Sequence, residues 1–417
     1  MIFQMEFDKD QAMTKDLNET TIQEKQMLKN RIIRLIVLAT VSATLAMTAA
    51  AQETVKVGML ISYSGISATG GISADNVLNL FQKKYGTEPG GKKLVFVRRD
   101  TTGPNPEVAR RLAQELIVRE KIQVMIGPDF TPNVLAIAPL VTEGKVPAII
   151  PGAATQGIVG EKSPYYLRTF FSIPQSVRPM AQWAAKDGIK KVMIVVADYG
   201  PGHDAEATFI KTFTDAGGVI SGVIKVPVRN PEFSGYMQRI KDSGADATFV
   251  FMPIGELSLG FLKAYADAGL KNTKMKLIAT GDVTDESTLD AAGDSALGVI
   301  SVGHYSPTHD SPTNKSFVSS YLADHGKTPR MAMTHVTYWD ALQVLYAGLE
   351  AQRGQKFDAD KFIAAVKGKQ FDSPRGPIAL DKITGDIIQN AYIRKVERRD
   401  GVLQNIEFDV VKDVAPK

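Results

Sequence analysis

The chain has no cysteine among its 417 residues. Disulfides, thiol nucleophiles and cysteine-ligated metal centres are thereby excluded, while a reducing and an oxidising compartment both stay open. Histidine is scarce at five, and the five are dispersed. His203, His325 and His335 stand alone, and His304 and His309 flank a Ser-Pro-Thr turn near Asp310 without the His-Glu-x-x-His spacing of a zinc site. We expect no metal and no cofactor. Neither a Gly-x-Gly-x-x-Gly fingerprint nor a Gly-Lys-Ser/Thr phosphate loop occurs, which disfavours nucleotides. A Gly-x-Ser-x-Gly elbow and a recognisable carboxylate pair are missing too, which disfavours an enzyme. Charge of one sign never accumulates: the balance of 49 basic and 45 acidic residues leaves +4. Doublets such as Lys190-Lys191 and Arg398-Arg399 lie among acids, so they read as solvated faces and no nucleic-acid partner is expected.

Long apolar runs are equally rare. The one that stands out, residues 35–47, follows Lys29, Arg31 and Arg34 and precedes Thr48-Ala49-Ala50-Ala51. A basic segment, a short apolar run and small residues at an A-x-A position read as a secretory signal, with cleavage expected after Ala51. The run is short for a membrane span, and a retained anchor is the alternative. Residues 1–26 are polar and precede Met27, from which a signal of usual length would begin. Residues 1–51 are therefore set aside as an N-terminal extension and signal peptide, and the mature chain is expected in the periplasm.

From Val55 onward, short β-branched runs alternate with amphipathic segments, the pattern of parallel strands joined by crossover helices. Strands are expected at 56–61, 94–98, 123–126 and 148–150, with helices at 73–85, 106–120 and 132–143. A second series runs 191–196, 219–226, 247–251, 276–279 and 298–302, interleaved with helices at 175–186, 205–216, 233–243 and 257–268. After a Ser, Pro and His-containing loop come helices at 314–325, 333–351 and 359–366. Strand-like segments follow at 376–380, 390–396 and 405–411, separated by turn pairs such as Thr384-Gly385 and Asp400-Gly401. The fold class is α/β, with two duplicated layers and no repeat at the level of sequence. Trp183 and Trp339 sit in apolar helical patterns and read as core. Tyr63 and Tyr338 could line a cleft, although burial with one satisfied hydroxyl is the commoner fate of such tyrosines.

In a doubly wound sheet, ligands bind outside the carboxyl ends of the strands, where loops lead into helix N-termini. "VMIGPDFTPNVLAIAPL" (124–140) joins an apolar strand to an apolar helix through Asp129-Phe130-Thr131-Pro132. Thr131 suits an N-cap, Pro132 suits the first turn, and free main-chain amides there would face a ligand anion. The plain alternative is that Thr131 only caps its helix. A second turn, Ile150-Pro-Gly-Ala-Ala-Thr-Gln156, also follows an apolar strand and is built of small residues that admit a ligand close to the backbone. A third turn is Ser62-Tyr-Ser-Gly-Ile-Ser-Ala-Thr-Gly-Gly71, and Asp198 and Asp204 flank the turn at Tyr199, where acids commonly serve as turn and capping residues.

In this order, behind a signal peptide, the chain resembles the periplasmic solute-binding proteins of ABC importers, branched-chain amino acid and amide type. The carriers are "VKVGMLISYSG" (55–65), "VMIGPDFTPNVLAIAPL", "VPAIIPGAAT" (146–155), "YYLRTFFS" (165–172), "VADYGPG" (196–202), "HVTYWDAL" (335–342) and "SPRGPIALDKITGDIIQNAYIRKV" (373–396). The resemblance implies a type I periplasmic binding protein: two Rossmann-like lobes with parallel central sheets, joined by a three-stranded hinge crossing near 169–171, 303–304 and 389–391. Lobe 1 would comprise 54–170 plus 304–390, and lobe 2 would comprise 171–303 plus 391–417. It further implies a ligand-binding set of Tyr63, Thr131, Ala153, Ala154, Thr155, Tyr199 and Asp282. Thr131 stands at the family's hydroxyl position, Ala153 at its small contact residue and Tyr199 at its Tyr-Gly position.

The departures bear on the ligand. Ala154 stands where a hydroxyl is expected, with Thr155 one place late. Asp282 matches the family's ammonium-binding acid only after a one-residue shift, and the tyrosine expected after residues 247–251 falls on Met252-Pro253-Ile254. A carboxylate without an amino group, aromatic or aliphatic, thus rivals a branched-chain amino acid, and an amide is a third choice. The implied role is a monomer that captures a small solute and delivers it to ABC permease subunits of the inner membrane. A periplasmic sensor of the same fold, for an aromatic acid or amide, is the alternative.

Overall fold

The computed structural model describes residues 21, 25–34, 52–65, 68–327 and 330–416. The apolar run at 35–47 and the expected cleavage point lie outside the described residues. Residues 25–34 form a helix, α1, within an N-terminal unit, 1–52; the body of the chain, 53–417, is a second compact unit. No described helix is long and apolar enough to cross a membrane.

The body opens with β1 (Thr54–Ile61), α2 (Ala68–Tyr85), β2 (Lys93–Asp100), α3 (Pro106–Gln114), β3 (Val124–Ile126), α4 (Thr131–Glu143), β4 (Ala148–Ile150) and β5 (Tyr166–Arg168). The five strands pair in parallel in the order β2-β1-β3-β4-β5. Parallel sheets carry helices on both faces, and β1 shows the result. Val55, Val57, Met59 and Ile61 pack in one core with Val77 and Phe81 of α2. Leu60 faces the opposite core, with Leu112 of α3 and Ile137 of α4.

A second layer follows: α5 (Ile173–Lys186), β6 (Lys191–Ala197), α6 (Gly200–Asp215), β7 (Val219–Val226), α7 (Ser234–Asp242), β8 (Ala247–Phe251), α8 (Glu256–Asp267), β9 (Lys276–Thr280), α9 (Glu286–Ala292) and β10 (Ile300–Gly303). Its parallel part runs β7-β6-β8-β9-β10. The chain then returns to the first layer with α10 (Pro312–His325), α11 (Met333–Glu350) and α12 (Ala359–Val366), whose Phe317, Trp339 and Phe362 join the first core. It ends in antiparallel β11 (Gln370–Ser373), β12 (Gly376–Leu380), β13 (Ile387–Arg399) and β14 (Val402–Val414).

The expected elements are all found, with ends displaced by a few residues. Among the described residues four labelled elements were not foreseen: α1, β5, α9 and β11. The helix expected over 106–120 stops at Gln114 and gives way to a wider turn, Glu115–Arg119, where Glu115 binds Arg99 at 2.6 Å.

Three passages connect the layers. Leu167 belongs to the first core and Phe170 to the second; Val302 lies in the second and Tyr305 in the first. The third passage is β13, which pairs with β12 at Ile387 and with β10 at Tyr392. Buried arginines tie the passages together. Arg375 donates to the Thr169 carbonyl at 2.5 Å and to Gln389 at 2.7 Å, and Arg394 donates to the Tyr305 carbonyl. Buried guanidiniums of this kind hold one geometry, because any displacement strands their donors in an apolar surround.

Candidate functional site

A cavity of about 120 Å³ lies between the layers, where the carboxyl ends of β3, β4, β6, β8 and β9 face one another. Its wall takes Asp129, Phe130 and Thr131 from the turn after β3, and Gly152, Ala153 and Ala154 from the turn after β4. The second layer adds Tyr199, Pro201, Phe251, Pro253, Ile254, Asp282 and Ser287, the first turns of α2 and α11 add Thr69 and Thr334, and Phe170 and Tyr338 line it as well. An apolar cavity of about 150 Å³ accepts benzene, so this space suits one ring or a short aliphatic chain.

The two β-strand turns of the first layer are wedged together. Gly152 lies so close to Asp129 that an added Cβ would stand 2.6 Å from the Asp129 carbonyl oxygen. The carbonyls of Ala153 and Thr155 accept from Arg168 at 3.0 and 2.9 Å, and that of Ala154 accepts from the Ile173 amide at 2.8 Å. With these acceptors engaged, the turn offers the cavity small side chains and main-chain N–H groups.

Thr131 is not the N-cap expected of it. Phe130 occupies that position, no side chain caps α4, and Thr131 is its first residue. Its hydroxyl instead donates to Thr155 Oγ1 at 3.2 Å. Thr155 therefore stands behind Thr131 and outside the cavity wall. α6 is uncapped as well, with Tyr199 at its N-cap. The helix packs tightly on its strand through Gly202, where an added Cβ would lie 1.8 Å from the Ala197 carbonyl oxygen. Two helix N-termini, one from each layer, thus bring free amides and the positive ends of their dipoles to the cavity.

No lysine, arginine or histidine lines the cavity among the described residues, whereas two carboxyl groups do. Burial pushes Asp282 up to about 7, with Asp285 adding repulsion. Its Oδ2 is buried without a hydrogen-bond partner among the described residues. Burial also raises Asp129, to about 6, although it accepts from the Ser62 amide and hydroxyl, both at 3.2 Å. Tyr199 stacks on Phe251 with ring centroids 6.1 Å apart. Burial and the Asp282 charge push its phenol far above the usual range, so it stays neutral.

Tyr63 does not reach the wall. Asp100 captures the Tyr63 amide at 2.8 Å and the Ser64 amide at 3.3 Å, and the ring packs beneath α2 against Gly71. Tyr338, on the second turn of α11, supplies the first layer's tyrosine instead. The five expected residues brought together are Thr131, Ala153, Ala154, Tyr199 and Asp282. Sequence reasoning passed over Asp129, Phe130, Phe170 and Phe251 as ligand-facing groups; their signal was an aromatic or acidic residue at the carboxyl end of a strand. His304 is buried against the paired rings of Phe170 and Phe171, and His309 pairs with Glu407 at 2.8 Å. Among the described residues no group of three or more potential ligands is placed to hold a metal ion.

A family model described as periplasmic binding protein matches residues 54–401. The chain is 42% identical, over 366 residues, to the Leu/Ile/Val-binding protein homolog 6 of Brucella melitensis biotype 1, which covers 88% of this chain and 93% of that protein. It is similar to the solute binding protein of an ABC transporter from Rhodopseudomonas palustris BisB5 solved with 3,4-dihydroxybenzoic acid (TM-score 0.82, 44% identity, 87% of this chain and 98% of the other). A solute binding protein of an ABC transporter from R. palustris solved with 4-hydroxybenzoate gives a TM-score of 0.84 at 44% identity over the same shares.

Proposed function

We propose, from the premise that the chain belongs to the periplasmic binding protein family, that its cavity takes a single-ring aromatic carboxylate bearing a hydroxyl group. The protein is the substrate-binding component of an ABC transporter and holds a small solute between two lobes. The observation that carries the narrower reading is Asp282 Oδ2: a buried acceptor without a partner among the described residues, in a part of the wall where Phe251, Pro253 and Ile254 stand beside Tyr199 and Ser287. A phenolic hydroxyl donates one hydrogen bond to such an oxygen and brings no charge. The carboxylate of the same ligand is matched by the amides at the starts of α4 and α6, and its ring by Phe130, Phe170 and Tyr199. The hydroxybenzoate complexes of the two R. palustris relatives support this reading.

An amino acid is the second reading, since Asp282 in its charged form would also pair with an ammonium group. An ammonium carries a full charge and three donors; beside Asp282 the wall offers it the hydroxyl oxygens of Ser287 and Tyr199, while Phe251, Pro253 and Ile254 answer nothing, so part of its lost hydration is unmet at a cost of several kcal/mol. Calorimetric titration with 4-hydroxybenzoate, benzoate and L-leucine separates the two. We expect affinity to fall in that order; L-leucine binding more tightly than 4-hydroxybenzoate would reject the aromatic reading.

The remaining parts of the reading follow the family. We assign residues 54–170 and 304–390 to lobe 1 and the rest of the body to lobe 2, closing on the solute about the three passages. The protein works in the periplasm after export by the segment at 29–51, as a monomer, performs no chemistry, and hands its solute to permease subunits in the inner membrane.

A further inference from the structure

The two lobes touch at one rim of the cavity through groups that do not line it. Thr155 Oγ1 lies where a Cβ on Gly200 would approach to 3.4 Å, and the Gln156 main-chain amide donates to Asp204 Oδ2 at 3.1 Å. The donor is fixed on the lobe 1 side. Arg168 clamps the Ala153 and Thr155 carbonyls just before it, and Arg168 is itself held by Asp386. The acceptor is fixed on the lobe 2 side, in the second turn of α6, the helix whose N-terminus places Tyr199 and Pro201 over the cavity. Asp204 is half-buried at this contact. Its partner is a main-chain group that no side-chain rotation can withdraw. A hydrogen bond is lost beyond about 3.5 Å, so a small outward swing of α6 breaks this one.

We infer that Asp204 is a closure residue: its bond to Gln156 biases the lobes toward the closed state and slows solute release, without contributing to which solute is chosen. It is a positioning residue that acts through lobe geometry and does not touch the solute. The bond lies at the exposed rim, where solvent screens it, so it shifts the equilibrium a few-fold.

The test needs no solute, so it stands apart from the aromatic-acid reading. Because the chain has no cysteine, labels attach only where thiols are introduced. Gln114→Cys on α3 and Lys241→Cys on α7 put exposed nitroxide labels on the two lobes, and pulsed dipolar spectroscopy reads their distance distribution. We expect Asp204→Ala to lower the closed fraction several-fold, and Asp204→Asn, which keeps an acceptor oxygen, to fall between it and the parent. Asp215→Asn, a charge control at the exposed end of the same helix, should match the parent. Identical distributions for Asp204→Ala and the parent would overturn the inference, as would an equal shift in the Asp215 control. Should Asp204→Ala fail to fold, the comparison of Asp204→Asn with Asp215→Asn decides by the same criterion.

Discussion

Arg168 and Asp386 meet in an enclosed ion pair, their side chains 1% and 5% exposed, and the same guanidinium holds the carbonyls of Ala153 and Thr155. The pair thus joins the end of β5 to the approach to β13 and fixes the turn that faces the cavity.

Removing one partner of such a pair leaves an uncompensated buried charge. We expect Asp386→Ala to lower the unfolding free energy by about 3–5 kcal/mol in urea denaturation. The double replacement Arg168→Met with Asp386→Leu should cost less than the single change. A single variant within about 1 kcal/mol of the parent would contradict the structural role given to the pair.

Thr131→Ala and Tyr199→Ala test the wall from each lobe. Loss of the Thr131 hydroxyl removes a hydrogen bond and frees Thr155, worth about 1 kcal/mol of binding. Truncating Tyr199 removes an aromatic face and its stacking on Phe251, worth about 1–3 kcal/mol. Calorimetric titration of both variants with the best-binding solute reads these losses, and unchanged affinity in both would reject the site.

The buried acids give a pH signature. Asp282 is raised to about 7 and Asp129 to about 6, chiefly by burial, and burial raises Glu286 as well, with the neighbouring Asp285 adding to it. Each keeps its proton in the folded state over a range where the unfolded chain, near pH 4, has already lost it. The folded state then binds more protons, so their contribution to stability falls as pH rises from about 4 to about 7 and levels off above. Thermal unfolding of the solute-free protein across this range should show the decline. Asp282→Asn should flatten it, leaving the variant about 1–3 kcal/mol more stable than the parent at pH 8. An unaltered slope would mean that Asp282 does not carry the shift.

Export makes a direct prediction. N-terminal sequencing of the protein recovered from the periplasm should begin at Gln52. An intact N-terminus would point to a retained anchor.

Much of this molecule is legible as a string of residues because its strands are buried on both faces. Runs such as 148–150 and 247–251 match β4 and β8 at both ends. β5 escaped notice because Tyr166-Leu167-Arg168 ends in a charged residue where β4 is wholly apolar, and only the pairing with Asp386 lets that arginine sit buried in the sheet. The site was legible as far as the turns. Which atom of a turn faces the solute was not, because that depends on what captures the rest of the turn. Asp100 turns Tyr63 inward, and Thr155 draws off the Thr131 hydroxyl that would have capped α4. Tyr63 and Tyr338 stood equal as cleft candidates along the chain; Tyr338, one of fourteen buried residues on α11, reaches the cavity with Thr334, and only the fold separates it from Tyr63.

The convergence of uncapped helix starts on a wall free, among the described residues, of cationic side chains bears on how such proteins diverge. An anion held by the peptide backbone survives nearly any side-chain exchange, so the grip is inherited with the scaffold. Novelty in cargo then falls to the few groups that meet the rest of the guest, and a lineage can change its diet through residues such as Asp282 and Ile254 without rebuilding its jaws.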